Sequence, residues 1–100
     1  MFTVYILKSL KDGKRYIGYT NDFHRRFSEH NAGRVRSTKL RRPLILSYKE
    51  EYLTKEEAEK RELFFKSGIG REELNRILIG AVPHPPSAGK VVRECLQYIY

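Results

Sequence analysis

The sequence predicts a single α+β domain in which helices pack on a small antiparallel or mixed sheet. Three observations carry that expectation. Two tyrosine-bearing segments, Val4-Tyr5-Ile6 and Tyr16-Ile17-Gly18, flank an Asp12-Gly13 pair, the strongest short-range signal for a β-hairpin. Apolar residues recur at helical spacing after Asn21-Asp22 and again after Thr54-Lys55-Glu56-Glu57, a capping-box signature. Between those helices, residues 44–50 alternate as a third strand.

Residues 2–8 and 15–20 form the hairpin strands. With Asp12-Gly13 as a two-residue loop, Ser9 faces Tyr16, Leu7 faces Gly18 and Tyr5 faces Thr20. Tyr5, Leu7, Tyr16 and Gly18 then share one face, and Gly18 leaves a notch beside two phenols. Asn21 or Asp22 caps a helix over 22–32, which Asn31-Ala32-Gly33 ends. Pro43 opens the third strand, with Leu44, Leu46 and Tyr48 on one face. A helix over 54–66 follows, and Ser67-Gly68-Ile69-Gly70 breaks the chain. The last helix, 71–79, turns Leu74, Ile77 and Leu78 inward. The domain spans 1–80. Residues 81–100 are a linker carrying Pro83, Pro85 and Pro86 and an appendage from Lys90 to Tyr100 that suits a strand or a short helix.

One hundred residues, 40% hydrophobic and 12% aromatic, bury a modest core and exclude a disordered chain. No apolar run approaches the roughly 18–20 residues that span a bilayer. The first residues lack the basic and apolar regions of a secretory leader. Cys95, the only cysteine, excludes an internal disulfide and a multi-cysteine zinc site, so a cytoplasmic location is expected. Lys and Arg number 20 against 12 acidic residues, and the net charge of +8 points to a polyanionic partner. Arg34, Arg36, Lys39, Arg41 and Arg42 fall within 33–42 with no acidic residue among them. Ser37 and Thr38, interleaved there, are hydroxyls able to contact phosphate. The segment is either a phosphate-binding surface or a solvated loop.

Polar residues also stand where a core is expected. Taking Phe23 as the buried direction, Phe27 falls at about +40°, His30 at about −20° and Arg26 at about −60°. An Arg beside a core calls for an anion to meet it. In the next helix Ala58, Glu62 and Phe65 occupy one stripe, so Glu62 takes an apolar position. Such a carboxylate can be a hard-metal ligand or can simply pair with Arg26.

Val4-Tyr5-Ile6, Tyr16-Ile17-Gly18, the run from Tyr19 through Arg25-Arg26, then His30 and Glu62, together resemble a GIY-YIG nuclease domain. The stretch from Ser37 through Arg42-Pro43 to Lys66-Ser67-Gly68-Ile69-Gly70-Arg71 is similar to the small single-domain bacterial branch of that family. The resemblance covers residues 2–79. It implies a three-stranded antiparallel sheet flanked by helices and a DNA-cleaving activity with one divalent metal, Mg²⁺ or Mn²⁺. It also implies that Tyr5, Tyr16, Arg26, His30 and Glu62 are the catalytic set, with Glu62 on the metal. Two features depart from the pattern: Thr3 replaces the first motif's glycine, and Asn75 is the only candidate for an additional asparagine near the C-terminal end.

On this reading Glu62 holds the ion, Arg26 contacts phosphate, and one phenol, aided by His30, deprotonates or orients water. A free phenol titrates near pH 10, so a tyrosine base needs positive charge nearby; Tyr5, Tyr16 and His30 remain the candidates. Arg34, Arg36, Lys39, Arg41 and Arg42 supply sequence-independent contacts to DNA, or to RNA. The alternative is a nucleic-acid-binding module of the same fold that does not cut, using Tyr5, Tyr16 and Arg26 to stack and to hold phosphate. A third reading is an adaptor that meets a protein partner through residues 81–100.

Overall fold

A computed structural model describes residues 1–79 and the strand at 92–99. In chain order the elements are β1 (Phe2–Ser9), β2 (Arg15–Thr20), α1 (Phe23–Asn31), a 3₁₀ turn (Lys39–Arg41), β3 (Leu44–Tyr52), α2 (Lys55–Lys66), α3 (Gly68–Leu78) and β4 (Val92–Ile99). The sheet order is β2-β1-β3-β4 with every neighbouring pair antiparallel. The α+β class and the three-stranded antiparallel sheet with its helices therefore stand, and β4 adds a fourth strand along β3. Of the two conformations open to the tail, 92–99 takes the strand. The proline-containing stretch 81–89 lies outside the described residues.

β1 is the strand on which both cores are built. Val4 and Ile6, each 0% exposed, pack with Tyr48, Tyr52, Ala58, Phe65, Leu74 and Ile77, so α2 and α3 cover that face. Tyr5 and Leu7 pack on the opposite face with Phe27, Leu44 and Leu46, beneath α1. Each such large side chain contributes about 1.5–3 kcal/mol by leaving water.

Three local expectations are corrected. The hairpin loop is longer than two residues: Tyr5 pairs with Gly18, Leu7 with Tyr16 and Thr3 with Thr20. The cause is Ser9, whose hydroxyl oxygen accepts from the backbone N–H of Lys11 and of Asp12, both at 3.1 Å, and donates to the Arg41 carbonyl at 2.6 Å. The turn thus begins at Ser9, and Gly13 supplies the left-handed residue at φ +72°. A shift of two leaves every side chain on its expected face. In β3, Leu44 and Leu46 do share a face, but Tyr48 lies on the other, because a bulge falls between Leu46 and Tyr48. Finally, α3 begins at Gly68, not at 71. Ser67 ends α2 through its N–H to Phe64 O and starts α3 by accepting from Gly70 N–H at 3.1 Å. A Cβ at Gly70 would lie 1.6 Å from the Phe64 carbonyl oxygen, so only glycine permits this tight passage.

The bulge turns Tyr48, Glu50 and Tyr52 toward α2. Glu50 is 0% exposed and accepts from Tyr48 Oη at 2.6 Å and Tyr52 Oη at 2.5 Å. Arg61 of α2 adds a two-pronged contact, Nε at 2.8 Å and Nη2 at 3.1 Å, and lies 4.4 Å above the Phe65 ring. Removing the arginine strands a buried carboxylate, and breaking such pairs costs about 3–5 kcal/mol. Arg61→Met is therefore expected to lower the unfolding free energy from urea titration by about 3 kcal/mol, softened by the two phenols. Lys66→Met, which removes a long contact from a half-exposed lysine to Glu62, should change it by under about 1 kcal/mol. Equal effects of the two changes would show that the buried pair does not anchor α2.

Candidate active site

Tyr5 on β1 and Tyr16 on β2 stand side by side, with ring centroids 6.3 Å apart and planes 27° apart. Gly18 faces Tyr5 across the strand pair, and its missing side chain is filled by that phenol. A Cβ at Gly18 would meet Tyr5 Oη at 2.7 Å, Tyr5 Cζ at 2.8 Å and Tyr16 Cε1 at 3.3 Å. The notch expected at Gly18 is thus occupied by the Tyr5 hydroxyl end.

α1 closes over these rings. The step from β2 is short: Asp22 N–H donates to Thr20 Oγ1 at 3.1 Å, and Asp22 Oδ1 caps the helix by accepting from Arg25 N–H at 3.2 Å. Phe23, Phe27 and His30 then face the sheet. His30 is 0% exposed, with its ring 4.9 Å from Tyr16 and 5.7 Å from Tyr5. Its Nε2 is 3.0 Å from Tyr5 Oη, and its Nδ1 is 2.8 Å from Thr38 Oγ1. Burial pushes the His30 pKa down to about 4, aided by the nearby Arg26 charge and opposed by Glu29. Burial likewise pushes the Tyr5 pKa up to about 12; Tyr16 and Glu62 add to the rise, while the nearby Arg26 guanidinium opposes it. At neutral pH the pair is a neutral imidazole and an intact phenol.

Arg26 donates to Glu29 Oε1 at 3.1 Å, and Glu29 also receives Arg25 Nη1 at 2.8 Å. The Arg26 bond holds the Glu29 carboxyl below the usual carboxylate range. The anion that meets this half-buried arginine is therefore Glu29, not Glu62. Glu62 lies on α2, which packs against the Val4–Ile6 side of the sheet, and its carboxylate forms an ion pair with Lys66 at 3.6 Å. Its charge still acts on Tyr5 and on Tyr19, phenols from opposite faces, while Tyr19 Oη donates to Glu59 at 3.0 Å.

Among the described residues no three His, Cys, Asp or Glu form a group able to hold a metal ion. Glu62 nonetheless suits a hard cation. It is one carboxylate with 15% side-chain exposure, and Mg²⁺ is commonly held by one or two carboxylates with water and phosphate completing the shell.

In the basic segment Arg34, Arg36, Lys39 and Arg42 are exposed. Arg41 is partly buried, donating to Asp12 Oδ2 at 3.2 Å and to the Arg15 carbonyl at 3.2 Å. Lys11, Asn31, Lys39, Leu40, Arg42 and Pro43 line a surface pocket of about 400 Å³. Val35 and Thr38 turn inward and tie the segment down. Thr38 is 0% exposed and faces His30, so of the two interleaved hydroxyls it is not available to phosphate. Thr3 sits opposite Thr20 in regular pairing, where glycine's freedom is not needed. Asn75 accepts from Arg15 Nη2 at 2.6 Å on the α3 side of β2.

The GIY-YIG catalytic domain model matches residues 1–75. The chain belongs to the GIY-YIG family. Its fold is thus of nuclease type. It is 44% identical over 78 residues to a UPF0213 protein of Staphylococcus epidermidis, covering 77% of this chain and 94% of that one. It is 46% identical over 63 residues to the UPF0213 protein YazA of Bacillus subtilis, covering 62% of this chain and 63% of that one. The solution structure of UPF0213 protein BH0048 from Bacillus halodurans aligns with a TM-score of 0.48 at 37% identity, over 77% of this chain and 85% of the other. Among the described residues no helix of this GIY-YIG chain is long and apolar enough to cross a membrane.

The depressed His30 pKa has a measurable consequence. The folded value, about 4, lies below the ordinary 6.5, so the native state favours the neutral ring. That contribution is complete above pH 6.5 and is lost as pH falls through about 4. The loss is on the order of 3 kcal/mol. Urea titrations between pH 7 and 4 should show a steeper decline in wild type than in His30→Gln; parallel curves would mean that the ring is not held neutral.

Proposed function

We propose that this protein is a metal-dependent endonuclease hydrolysing phosphodiester bonds in DNA. The observation that best supports the reading is the arrangement of Tyr5, Tyr16, Arg26 and His30. Three elements bring these groups around the Tyr5 side chain, which bonds His30 at 3.0 Å, stacks beside Tyr16 and feels the Arg26 charge. These are the positions at which the sequence resembles the family's catalytic set.

Each residue has a role that its surroundings suit. Arg26 offers a permanently charged donor fork to the phosphate; Glu29 holds that fork in place beforehand. Tyr16, the less buried of the two phenols, receives the attacking water. Tyr5, 1% exposed and bonded to His30, orients the site instead of taking the proton. His30 is sealed from solvent with both ring nitrogens engaged, so it acts on Tyr5 and not on the water directly. Glu62 is the residue that would hold Mg²⁺ or Mn²⁺; bound there, the cation would supply polarisation of the phosphate and charge stabilisation at the leaving oxygen. Arg34, Arg36, Lys39 and Arg42 provide contacts along the nucleic-acid backbone, with Arg41 chiefly bracing the segment against Asp12.

Purified protein incubated with plasmid, branched and single-stranded DNA plus Mg²⁺ or Mn²⁺ tests the reading. Cutting is expected, is lost in EDTA, and falls at least about a hundredfold in Glu62→Gln and in Tyr16→Phe, with folding and nucleic-acid binding retained. Metal-dependent cutting that Glu62→Gln retains in full refutes the assignment of Glu62. Tight binding with no cutting of any substrate makes the protein a binding module.

The surface residues are tested separately by the salt dependence of DNA affinity. Replacing Arg34, Arg36, Lys39 and Arg42 with Gln should weaken binding and flatten the slope by about 0.9 for each phosphate that is no longer neutralised. Adding Arg41→Gln should change the slope less than any of those four, because Arg41 is already committed to Asp12. An unchanged slope in the four-fold variant assigns the segment to solvation.

A further inference from the structure

Thr38 stands apart from its neighbours. Arg36, Ser37, Lys39 and Leu40 are exposed, yet Thr38 is 0% exposed and places Oγ1 2.8 Å from His30 Nδ1. We infer that Thr38 is a positioning residue for the reaction: its hydroxyl fixes the tautomer of His30 and, through that ring, the direction of the Tyr5 hydroxyl. The inference rests on the nuclease reading above.

The direction of each bond follows from the end of the chain that cannot reverse. The Val35 carbonyl can only accept, and Thr38 Oγ1 donates its one hydrogen to it at 3.5 Å. Thr38 Oγ1 therefore meets His30 Nδ1, 2.8 Å away, as an acceptor, so the neutral ring carries its proton on Nδ1. Nε2 then carries no proton and accepts from the Tyr5 hydroxyl, 3.0 Å away. All the donors point one way, from Tyr5 to Val35.

Without the Thr38 hydroxyl the buried Nδ1–H is left with no acceptor, and the proton is better placed on Nε2. There it faces Tyr5 as a donor. Tyr5 then accepts from His30, and its hydrogen swings away from the ring. One hydroxyl, eight residues from His30, thus decides whether Tyr5 presents a lone pair or a hydrogen to the site.

Ring-nitrogen spectra of the ¹⁵N-labelled full chain read the tautomer directly, with the His30 signals identified by their loss in His30→Gln. Wild type should show Nδ1 protonated and Nε2 bare. Thr38→Val, which keeps the side-chain shape, should move the proton to Nε2 or mix the two forms, and Thr38→Ser should restore the wild-type pattern. Cutting should fall about tenfold to a hundredfold in Thr38→Val through kcat, with KM little changed, and recover in Thr38→Ser. A wild-type ring protonated at Nε2 overturns the inference, as does an unchanged tautomer in Thr38→Val or a changed tautomer with full cutting. If Thr38→Val does not fold, the wild-type and Thr38→Ser spectra still decide. Should the wild type cut no substrate, the nuclease reading fails and any role in catalysis fails with it, while the spectra separately decide whether Thr38 sets the ring.

Discussion

Because β1 is covered on both faces, Tyr5 can enter the site only as a phenol removed from water, and much else follows from that constraint. A buried hydroxyl needs a partner of its own, and His30 supplies one from α1. A buried imidazole needs partners at both nitrogens, and the second, Thr38, ties α1 to the segment that carries the basic residues. Burial thus assembles a connected polar cluster from β1, α1 and the loop ahead of β3. Networks of this kind specify geometry strongly when every member is satisfied.

The opposite face is held by different means. Glu50 brings a carboxylate into an apolar core, where it collects two phenols and a two-pronged arginine. Arg61 immediately precedes Glu62 on α2. The residue that anchors the helix to the sheet is therefore the chain neighbour of the residue proposed to bind the cation. Rotating or sliding α2 would break the Arg61 contact first, so the position of Glu62 inherits the stiffness of that pair.

Much of this was legible in the sequence, and the rest was hidden for identifiable reasons. The helical period placed His30 and Arg26 on or beside the apolar stripe, and His30 is indeed fully buried. The hairpin faces were legible too, but its register was not, since Asp12-Gly13 signals a turn without revealing that Ser9 closes it. The bulge in β3 left no local mark, and in the run Lys49-Glu50-Glu51 nothing distinguishes the buried carboxylate from its half-exposed neighbours. Arg61 was hidden in the same way among the charges of α2. Thr38, set among exposed cations, looked like a phosphate contact because only the fold turns it toward His30. Residue type reports burial well when apolar patterning decides it, and poorly when a single buried partner does.

Tyr5 and Gly18 are in effect one side chain shared between two strands. The volume that position 18 gives up is the volume that the Tyr5 hydroxyl end occupies, with 2.7 Å between Oη and a Cβ that would otherwise stand there. Neither residue therefore drifts independently: enlarging one demands shrinking the other in the same step. Cross-strand partners bound in this way should change together or not at all, and a glycine at 18 records, on its own strand, the size of the ring opposite.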